Sequence, residues 1–570
     1  MLGNQAAARG LYEAGCRFVS SYPGTPSTEI TEEVAKYDEV YAEWAPNEKV
    51  AMESALGASF AGARSFCAMK HVGLNVAADP LYTAAYTGVN GGMVIAVADD
   101  PGMHSSQNEQ DSRHHAIASK VPMLEPSDSA ECKEFIIRAF NLSEKFDTPV
   151  IFRTYTRIAH SQSMVELCDR EEKPLREYVK NPQKYSMSPA NAIRRHVFVE
   201  ERMAKLAEIA ETCPLNRVEL DDTSIGFITS GTCYQYVKEV FPHASVLKLG
   251  LVNPLPKQLF IDFAAKVDKL YVIEEMDPII EQHVRALGIH IDGGKDLTGL
   301  LGEMSQAKLR AAMGIELPES ESLEEPLPVR PPVLCPGCPH RGLFYTLSKL
   351  KLTVCGDIGC YTLGGAAPLN AMDTTICMGA SIGALHGFNK IRPEGADKRV
   401  AVIGDSTFMH SGMTGLANIV YNKSISTVLI LDNSITGMTG HQQNPTTGLT
   451  LKEEPTYAIR MEDVAKALGV RRVAIVDPAD LAALDKTLRE EIEADEPSVV
   501  IVRRPCALLK CVKHKPPFKV ETEKCKSCKM CMKLGCPAIK MENGKASIDT
   551  TLCVGCGLCQ QMCKFDAIRE

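Results

Sequence analysis

The last part of the chain contains two runs of closely spaced cysteines. Their spacings are Cys525-x2-Cys528-x2-Cys531-x4-Cys536 and Cys553-x2-Cys556-x2-Cys559-x3-Cys563. Short, fixed spacings of this kind let one loop hold three corners of an iron–sulfur cubane, while the fourth cysteine of each run ligates the other cluster. The predicted ligand sets of two [4Fe–4S] clusters are therefore Cys525, Cys528, Cys531 and Cys563, and Cys536, Cys553, Cys556 and Cys559.

One detail of these runs departs from the usual pattern. Four residues separate Cys531 from Cys536, where three are usual, so this loop is one residue longer. Zinc is the alternative metal. Eight cysteines in two such runs fit a two-cluster ferredoxin better than they fit a zinc site.

Other candidate ligands follow two apolar, strand-like segments. Gly404, Asp405 and Ser406 come directly after the first segment, and Asn433 follows the second. Apolar residues recur at helical spacing between the segments, which predicts a strand–helix–strand unit. The free N–H groups at such a helix start favour a diphosphate, and Asp405 and Asn433 offer hard oxygen ligands to a divalent cation. The alternative is that Asp405 only caps the helix.

The first 165 residues must position another acidic side chain, Glu48. Strand-like and helix-like patterns alternate there, which predicts a parallel sheet. Glu48 lies in the first turn of an alanine-rich helix predicted to continue to about Arg64. The simplest interpretation of an acid at this position is that it complements the helix dipole.

Composition and charge limit the class of protein. With 570 residues, 45% of them hydrophobic, the chain should fold as several globular domains. The net charge of −9 gives no reason to expect a nucleic-acid partner. No apolar run approaches the roughly 20 residues of a membrane helix, and the first residues lack the pattern of a signal peptide. We therefore expect a reduced, cytoplasmic protein that does not bind a membrane.

The segment from Gly404 to Asn433 resembles the thiamine diphosphate motif. The general motif is Gly-Asp-Gly followed by Asn-Asn, and the departures Ser406 and Asp432 are similar to the 2-oxoacid:ferredoxin oxidoreductase family. This resemblance implies that Gly404, Asp405, Ser406 and Asn433 bind thiamine diphosphate. It also implies that Asp405, Asn433 and the Ile435 carbonyl ligate Mg²⁺.

The N-terminal part resembles the pyrimidine-binding domain of the same family. The resemblance rests on Glu48 with the segment 57–64, and on the segment 22–27. It implies that Glu48 hydrogen-bonds the aminopyrimidine ring of the cofactor and that Thr25 lies on the substrate side. Arg113, in a predicted active-site loop, could hold a substrate carboxylate bidentately. The alternative for Arg113 is a solvated surface side chain.

Four further cysteines match, in order, the landmarks that hold a cluster near the thiamine in related oxidoreductases. They are Cys335, Cys338, Cys360 and Cys506. A Cys-x2-Cys pair is only half of a ligand set, and Cys506 is distant in sequence. A third cluster is thus one interpretation, and reduced thiols lining the cofactor pocket are the other.

The resemblance extends over nearly the whole chain in its order of domains. The fold class it implies is α/β, with three parallel-sheet domains of thiamine diphosphate-enzyme type and a C-terminal two-cluster ferredoxin-like α+β domain. The predicted boundaries are 1–165 for the pyrimidine-binding domain, 166–325 for a helical connector with a transketolase C-terminal-like domain, 326–512 for the diphosphate-binding domain and 513–570 for the ferredoxin-like domain. An acidic, proline-rich linker is predicted at 316–328.

This order resembles the α subunits of the indolepyruvate ferredoxin oxidoreductase family. The resemblance implies an enzyme that oxidises aryl pyruvates with CoA to aryl-acetyl-CoA and CO2, and passes electrons to ferredoxin. It also implies a smaller β subunit, with an α2β2 assembly. Two alternatives stay open: the same chemistry on pyruvate or a branched-chain 2-oxo acid, and an electron-transfer subunit with a degenerate thiamine site.

Overall fold

The structure is a computed structural model that describes residues 1–318, Glu325 and residues 327–570. The chain forms two compact units, residues 1–322 and 323–570. Much of the predicted linker, 316–328, lies outside the described residues.

The first unit contains eleven strands and fifteen helices in its described part. The strands are β1 (Phe18–Ser21), β2 (Tyr41–Trp44), β3 (Ser65–Lys70), β4 (Met93–Asp99), β5 (Met123–Leu124), β6 (Val150–Tyr155), β7 (Arg217–Glu219), β8 (Asp222–Ser230), β9 (Ala244–Leu249), β10 (Leu251–Asn253) and β11 (Leu270–Ile273). The helices are α1 (Gly3–Glu13), α2 (Thr28–Val34), α3 (Glu48–Phe60), α4 (His71–Val76), α5 (Ala78–Thr87), α6 (Arg113–Ser119), α7 (Ser129–Phe146), α8 (Thr156–His160), α9 (Pro182–Tyr185), α10 (Pro189–Ala210), α11 (Gly231–Val240), α12 (Gln258–Ala264), α13 (Ile279–Ala286), α14 (Lys295–Thr298) and α15 (Gln306–Ala312).

Two sheets organise the first unit. The larger sheet has the order β10-β5-β6-β4-β3-β1-β2 and is parallel except for β10, which pairs antiparallel with β5. Every residue of β3, β4 and β6 is buried, as expected for parallel strands that helices cover on both faces. The smaller sheet has the order β11-β8-β9-β7, with only β7 antiparallel.

The second unit contains nine strands in its described part, most of them in one sheet. The strands are β12 (Thr353–Cys355), β13 (Arg399–Gly404), β14 (Thr427–Asp432), β15 (Arg472–Val476), β16 (Ser498–Arg503), β17 (Lys519–Val520), β18 (Ile539–Glu542), β19 (Lys545–Ile548) and β20 (Ile568–Arg569). The helices are α16 (His340–Leu350), α17 (Ala380–Ile391), α18 (Asp405–Thr407), α19 (Met413–Tyr421), α20 (Met461–Ala467), α21 (Leu481–Ile492) and α22 (Leu558–Met562).

The main sheet of the second unit is fully parallel, with the order β12-β13-β14-β16-β15. Gly404 pairs with Leu431 across β13 and β14, so the residues after both strands share one sheet edge. The tail has two small antiparallel pairs, β17 with β20 and β18 with β19. These sheets confirm the predicted fold class of parallel α/β domains and a ferredoxin-like tail.

The segment between β13 and β14 differs from the prediction in one respect. The expected regular helix is interrupted by a π-helical turn, Phe408–Gly412, between the short α18 and α19. Such turns insert one extra residue per turn and often lie at functional sites. Apolar periodicity alone does not reveal them.

Candidate active site

Asp405 and Asn433 lie next to each other where β13 and β14 end. Asp405 begins α18 and is 3% exposed, and Asn433 follows β14 and is 7% exposed. The carboxyl edge of parallel strands is where open α/β sheets bind ligands. Gly404 is required at this edge because a Cβ atom there would lie 2.7 Å from a ring carbon of Tyr361.

Three oxygen atoms meet at this edge. The side-chain oxygen of Asn433 lies 3.2 Å from a carboxylate oxygen of Asp405 and 2.7 Å from the carbonyl oxygen of Ile435. Turned the other way, the Asn433 amide nitrogen would donate to both atoms. A divalent cation among the three oxygens would satisfy them without that rotation, because Mg²⁺ prefers hard oxygen ligands. These residues therefore fit the predicted magnesium site.

The charge at this edge also favours a bound cation. Burial raises the pKa of Asp405 to about 7, and the negative charge of Asp432 adds to the rise. Asp432 itself forms an ion pair with Arg503, at 2.6 Å between Oδ2 and Nε. The Asp405 carboxylate has no such cationic partner among the described residues, so Mg²⁺ would remove the cost of its burial.

Glu48 is placed by the start of α3 in the first unit. It is 5% exposed and follows Asn47, whose side chain caps the helix by accepting from the Val50 N–H. Gly73 lies against Glu48, because a Cβ at residue 73 would lie 2.5 Å from Glu48 Oε1. Thr25, in the loop after β1, is half-buried. Both residues thus lie at the carboxyl edge of the large sheet.

The structure places Arg113, the predicted substrate ligand, in a buried ion-pair network and not on the surface. Arg113 is 1% exposed, and its guanidinium binds the Asp111 carboxylate at 2.6 Å and the Glu274 carboxylate at 2.6 Å. It also donates to the carbonyl oxygens of Glu275 and Asp277. The side chain thus belongs to a buried ion-pair network between α6 and the segment after β11. A substrate carboxylate that displaced its partners would leave buried charges unpaired.

Replacing Arg113 by Met is expected to destabilise the first unit by about 3–5 kcal/mol, because it leaves the Asp111 and Glu274 carboxylates buried without their cation. Denaturant unfolding of the chain, followed at its first transition, would measure the loss. The control is Arg138→Met, since Arg138 is half exposed and pairs with Glu134 four residues away. A loss for Arg113→Met no larger than about 0.5 kcal/mol, the size expected of the control, would contradict the network.

Each predicted set of tail cysteines lines its own cavity. Cys525, Cys528, Cys531 and Cys563 line one, and Cys536, Cys553, Cys556 and Cys559 line the other. Within the described residues, no three His, Cys, Asp or Glu side chains are close enough to share a single metal ion. A cubane holds its four thiolates around a core of several atoms, so thiols that surround a cavity fit a cluster better than one ion.

The local structure of the tail explains the longer spacing before Cys536. Residues Cys531–Leu534 form a short 3-10 turn, and Gly535 ends it at φ +63°. This left-handed conformation favours glycine, and it absorbs the additional residue of the loop. Burial raises the pKa of Cys559 to about 12, and the neighbouring thiols add to the rise. Cluster iron would offset this cost, since it binds the deprotonated thiolate.

The crossed arrangement of ligands makes a specific prediction. Cys563→Ser is expected to remove the same cluster as Cys531→Ser, although Cys563 lies in the second run, because both thiols face one cavity. Cys559→Ser should remove the other cluster. Each variant should lose about four iron atoms, and the spectra of the reduced protein by electron paramagnetic resonance should identify which cluster remains. Cys511→Ser, at an exposed cysteine, is the control. Matching spectra for Cys563→Ser and Cys559→Ser would show that both cysteines ligate the same cluster, which would contradict the crossed arrangement of ligands.

The four remaining candidate cysteine ligands also lie near one another. Burial raises the pKa of Cys338 and of Cys360, and nearby thiols add to both shifts: Cys360 to that of Cys338, and Cys506 and Cys335 to that of Cys360. The backbone N–H of Cys506 donates to the carbonyl oxygen of Asn433 at 2.9 Å. The backbone of Cys506 therefore lies directly beside Asn433, a predicted magnesium ligand.

The sequence did not predict that the buried side chain of Arg341 lies between Cys335 and the tail. Arg341 is 2% exposed and donates to the carbonyl oxygens of Cys335, at 3.1 Å, and Leu534, at 2.7 Å. It also lines the cavity of the Cys536 set. Its position directly after the Cys335–His340 motif was a usable signal. Nothing in the sequence indicated its contact with Leu534.

Comparisons with known proteins show the family of the chain. The family described as "Thiamine pyrophosphate enzyme, C-terminal TPP binding domain" matches residues 357–502, and "Pyruvate flavodoxin/ferredoxin oxidoreductase, thiamine diP-bdg" matches residues 9–210. The "4Fe-4S binding domain" family matches residues 546–569. The indolepyruvate oxidoreductase subunit IorA of Archaeoglobus fulgidus is 41% identical, with 100% of this chain and 97% of that protein covered. The chain belongs to the indolepyruvate oxidoreductase subunit IorA family.

Three further comparisons gave the following values. The IorA subunit of Thermococcus kodakarensis is 42% identical over 100% of this chain and 96% of its own length. The 2-oxoglutarate synthase subunit KorA of Methanothermobacter thermautotrophicus is 32% identical, but it covers only 30% of this chain and 47% of its own length. A solved 2-oxoglutarate:ferredoxin oxidoreductase from Magnetococcus marinus is 20% identical, with 55% of this chain and 64% of that chain covered at a TM-score of 0.46.

The predicted enzyme class and cofactor types are thereby confirmed. The chain is a catalytic subunit of the oxoacid:ferredoxin oxidoreductase class that uses thiamine diphosphate and [4Fe–4S] chemistry. The described part of the chain contains no helix with the length and apolar composition that a membrane crossing requires.

Proposed function

We propose that the chain oxidatively decarboxylates aryl pyruvates, indolepyruvate among them, with CoA to yield aryl-acetyl-CoA and CO2. The observation that carries this proposal is the identity of about 40% to IorA subunits along the whole chain, including both compact units. The same chemistry on pyruvate or a branched-chain 2-oxo acid is the second candidate, which the pyruvate oxidoreductase description of residues 9–210 favours.

We assign the cofactor contacts to named residues. Asp405, Asn433 and the Ile435 carbonyl would hold Mg²⁺, and Gly404 and Ser406 would contact the diphosphate. The convergence of three oxygens at this edge supports the assignment. When bound, thiamine diphosphate supplies carbanion chemistry at the keto carbon of the substrate.

Two residues of the first unit are assigned to the pyrimidine ring and to the substrate. The Glu48 carboxyl would hold a proton at the aminopyrimidine ring, and its burial keeps water from competing for that hydrogen bond. Thr25 would contact the substrate from the loop after β1. The four predicted domains, with boundaries near residues 165, 325 and 512, would separate the pyrimidine-binding and diphosphate-binding roles.

Electrons would leave through the cysteine-rich part of the chain. We propose a third [4Fe–4S] cluster held by Cys335, Cys338, Cys360 and Cys506, in addition to two in the tail. The position of Cys506 beside Asn433 and of Arg341 between Cys335 and the Cys536 cavity supports this order. Iron content near twelve atoms per chain would support three clusters, and a value near eight would contradict the third.

The proposed partners follow from the subunit names of the relatives. A smaller β subunit would complete an α2β2 enzyme in the cytoplasm, and a ferredoxin would accept the electrons. Gel filtration and light scattering of the co-expressed subunits would test this stoichiometry.

An anaerobic assay tests the proposed reaction. The chain would be purified with its partner subunit, and reduction of a viologen dye would be followed with CoA across a panel of 2-oxo acids. We expect indolepyruvate and other aryl pyruvates to give the highest kcat/KM. Faster turnover of pyruvate would favour the second candidate, and absence of bound thiamine diphosphate would contradict the enzyme mechanism altogether.

A further inference from the structure

Lys70 is a buried lysine at the carboxyl end of β3, in the centre of the large parallel sheet. Its side chain is 10% exposed. The ammonium group donates to the carbonyl oxygen of Ser105 at 2.8 Å and to the hydroxyl of Ser105 at 3.2 Å. Both acceptors are neutral. A buried ammonium is usually paired with an anion, and these two acceptors do not neutralise the positive charge of Lys70.

The nearest carboxylate only partly supplies that charge. Asp100 Oδ2 lies 3.8 Å from Lys70 Nζ, beyond hydrogen-bond distance. The same oxygen already accepts from the Ser105 N–H at 2.9 Å and from the Ser106 hydroxyl at 2.6 Å. Burial lowers the pKa of Lys70, and the charge of Asp100 only opposes that shift. An additional anion at Nζ would therefore stabilise the protonated lysine.

His71 presents a second donor beside Lys70. Its ring is fully buried, and Nε2 lies 3.2 Å from the carbonyl oxygen of Asn108, which assigns the ring proton to Nε2. Nδ1 of His71 has no hydrogen-bond partner among the described residues. The acceptors for Lys70 and His71 thus come from one loop, through the carbonyl groups of Ser105 and Asn108, and both of these loop residues are exposed.

The two donors adjoin both residues that the proposed function places in the first unit. The loop that carries Thr25 packs on Lys70, because a Cβ at Gly24 would lie 3.1 Å from the Cβ of Lys70. Helix α4, which begins at His71, packs on the Glu48 carboxyl through Gly73. Lys70 and His71 therefore lie between the proposed substrate loop and the proposed pyrimidine ligand.

We propose that Lys70 binds the carboxylate of the 2-oxo acid substrate and that His71 donates beside it. The carboxylate oxygens would replace the Ser105 and Asn108 carbonyl oxygens when the 104–110 loop moves aside. This assignment rests on the proposed function. Unlike Arg113, which already pairs with two carboxylates at 2.6 Å, Lys70 donates to the neutral oxygens of Ser105. The buried ammonium would bind an anion strongly because little water competes with the charge-assisted hydrogen bond.

The test compares two substrates that differ only in the carboxylate. An aryl pyruvate loses CO2, and the matching aryl-acetaldehyde loses a proton instead. Each then yields two electrons to viologen and the same aryl-acetyl-CoA. The holoenzyme with its partner subunit would carry Lys70→Met, Lys70→Arg or the control Lys49→Met. Lys49 lies on α3 with its side chain 43% exposed and paired with Glu53.

We expect Lys70→Met to lower kcat/KM for the aryl pyruvate by roughly 10- to 100-fold, the loss of one charge-assisted hydrogen bond, and to change the aldehyde by less than about threefold. Lys70→Arg keeps the charge but changes its geometry, and should lower the pyruvate-to-aldehyde ratio by roughly three- to tenfold. Lys49→Met should leave the ratio unchanged. Thiamine diphosphate content and melting temperature would identify any misfolded variant. If Lys70→Met is misfolded, the pyruvate-to-aldehyde ratio of kcat/KM in Lys70→Arg decides.

Three outcomes would overturn the proposal. An unchanged ratio in both Lys70 variants would mean that no substrate carboxylate is bound there. An equal loss on both substrates in folded, cofactor-loaded protein would mean that Lys70 only supports the Ser105 loop. Wild-type enzyme that oxidises neither substrate would contradict the proposed function itself, and with it the substrate class assigned to Lys70.

Discussion

Glu48→Gln is expected to lower kcat by roughly 100- to 10,000-fold while thiamine diphosphate stays bound. The amide is nearly the same size as the carboxyl group, so the packing of Gly73 against residue 48 should persist. The amide cannot hold or release a proton at the aminopyrimidine ring, and proton transfer by a positioned carboxyl group typically contributes this range. Viologen reduction at saturating aryl pyruvate and CoA would measure kcat, and the cofactor content would be measured on the same sample.

The matched control is Glu53→Gln on the same helix. Glu53 is exposed and pairs with Lys49, whose side chain is 43% exposed, so the kcat of Glu53→Gln should stay within about twofold of the wild-type value. Comparable losses in the two variants would indicate a general effect on α3. A Glu48→Gln variant with near wild-type kcat would remove Glu48 from the proposed proton transfer.

Asp405→Asn is expected to abolish activity through loss of the cofactor. The substitution keeps the shape of the side chain but removes the charge that would hold Mg²⁺ between Asp405, Asn433 and the Ile435 carbonyl. Thiamine diphosphate should fall below the stoichiometric amount even at high Mg²⁺, while the iron content stays unchanged because the tail cysteines are separate ligands. Calorimetric titration with thiamine diphosphate and Mg²⁺ would measure the loss. Stoichiometric cofactor in the variant would contradict the assignment.

In protein without bound Mg²⁺, Asp405→Asn is expected to increase the stability of the fold. Burial raises the pKa of Asp405 from 3.8 to about 7 in the folded state, so ionisation of this carboxyl group opposes folding. The cost is absent below about pH 4, grows between pH 4 and 7, and is complete above pH 7. Metal-free Asp405→Asn should therefore be more stable than the metal-free wild type at pH 8, by roughly 2–4 kcal/mol, and equally stable at pH 4. Equal stabilities at pH 8 would show that the carboxylate is not costly there.

Some of the candidate site could be predicted because its residues are close in sequence or follow directly from strand ends. The first three cysteines of each run are three residues apart, and such spacing constrains the loop whatever the rest of the chain does. Asp405 and Asn433 end two strand-like segments. In a parallel sheet the ends of neighbouring strands share one edge, and β13 and β14 are neighbours.

Other parts depended on contacts between distant segments. The buried ion pair of Arg113 could not be predicted, because its partner Glu274 is 161 residues away and no local pattern indicates that carboxylate. Lys70 ends a buried strand and His71 follows it, which was a usable signal for the sheet edge. Their side chains, however, donate to carbonyl oxygens of a loop more than 30 residues later. The sequence therefore could not show that the Lys70 ammonium has no anion within hydrogen-bond distance among the described residues.

The sequence by itself predicted the iron–sulfur ligands and the parallel α/β pattern, because motif spacing and apolar periodicity are local properties, and its resemblance to a known family predicted thiamine diphosphate and the enzyme class. Tertiary structure alone decided which charged side chains are neutralised inside the protein and which remain for a ligand. That distinction depends on desolvation and on partners brought together by folding. Arg113 lies among carboxylates, Asp405 has no cationic partner among the described residues, and Lys70 donates to neutral acceptors with Asp100 at 3.8 Å.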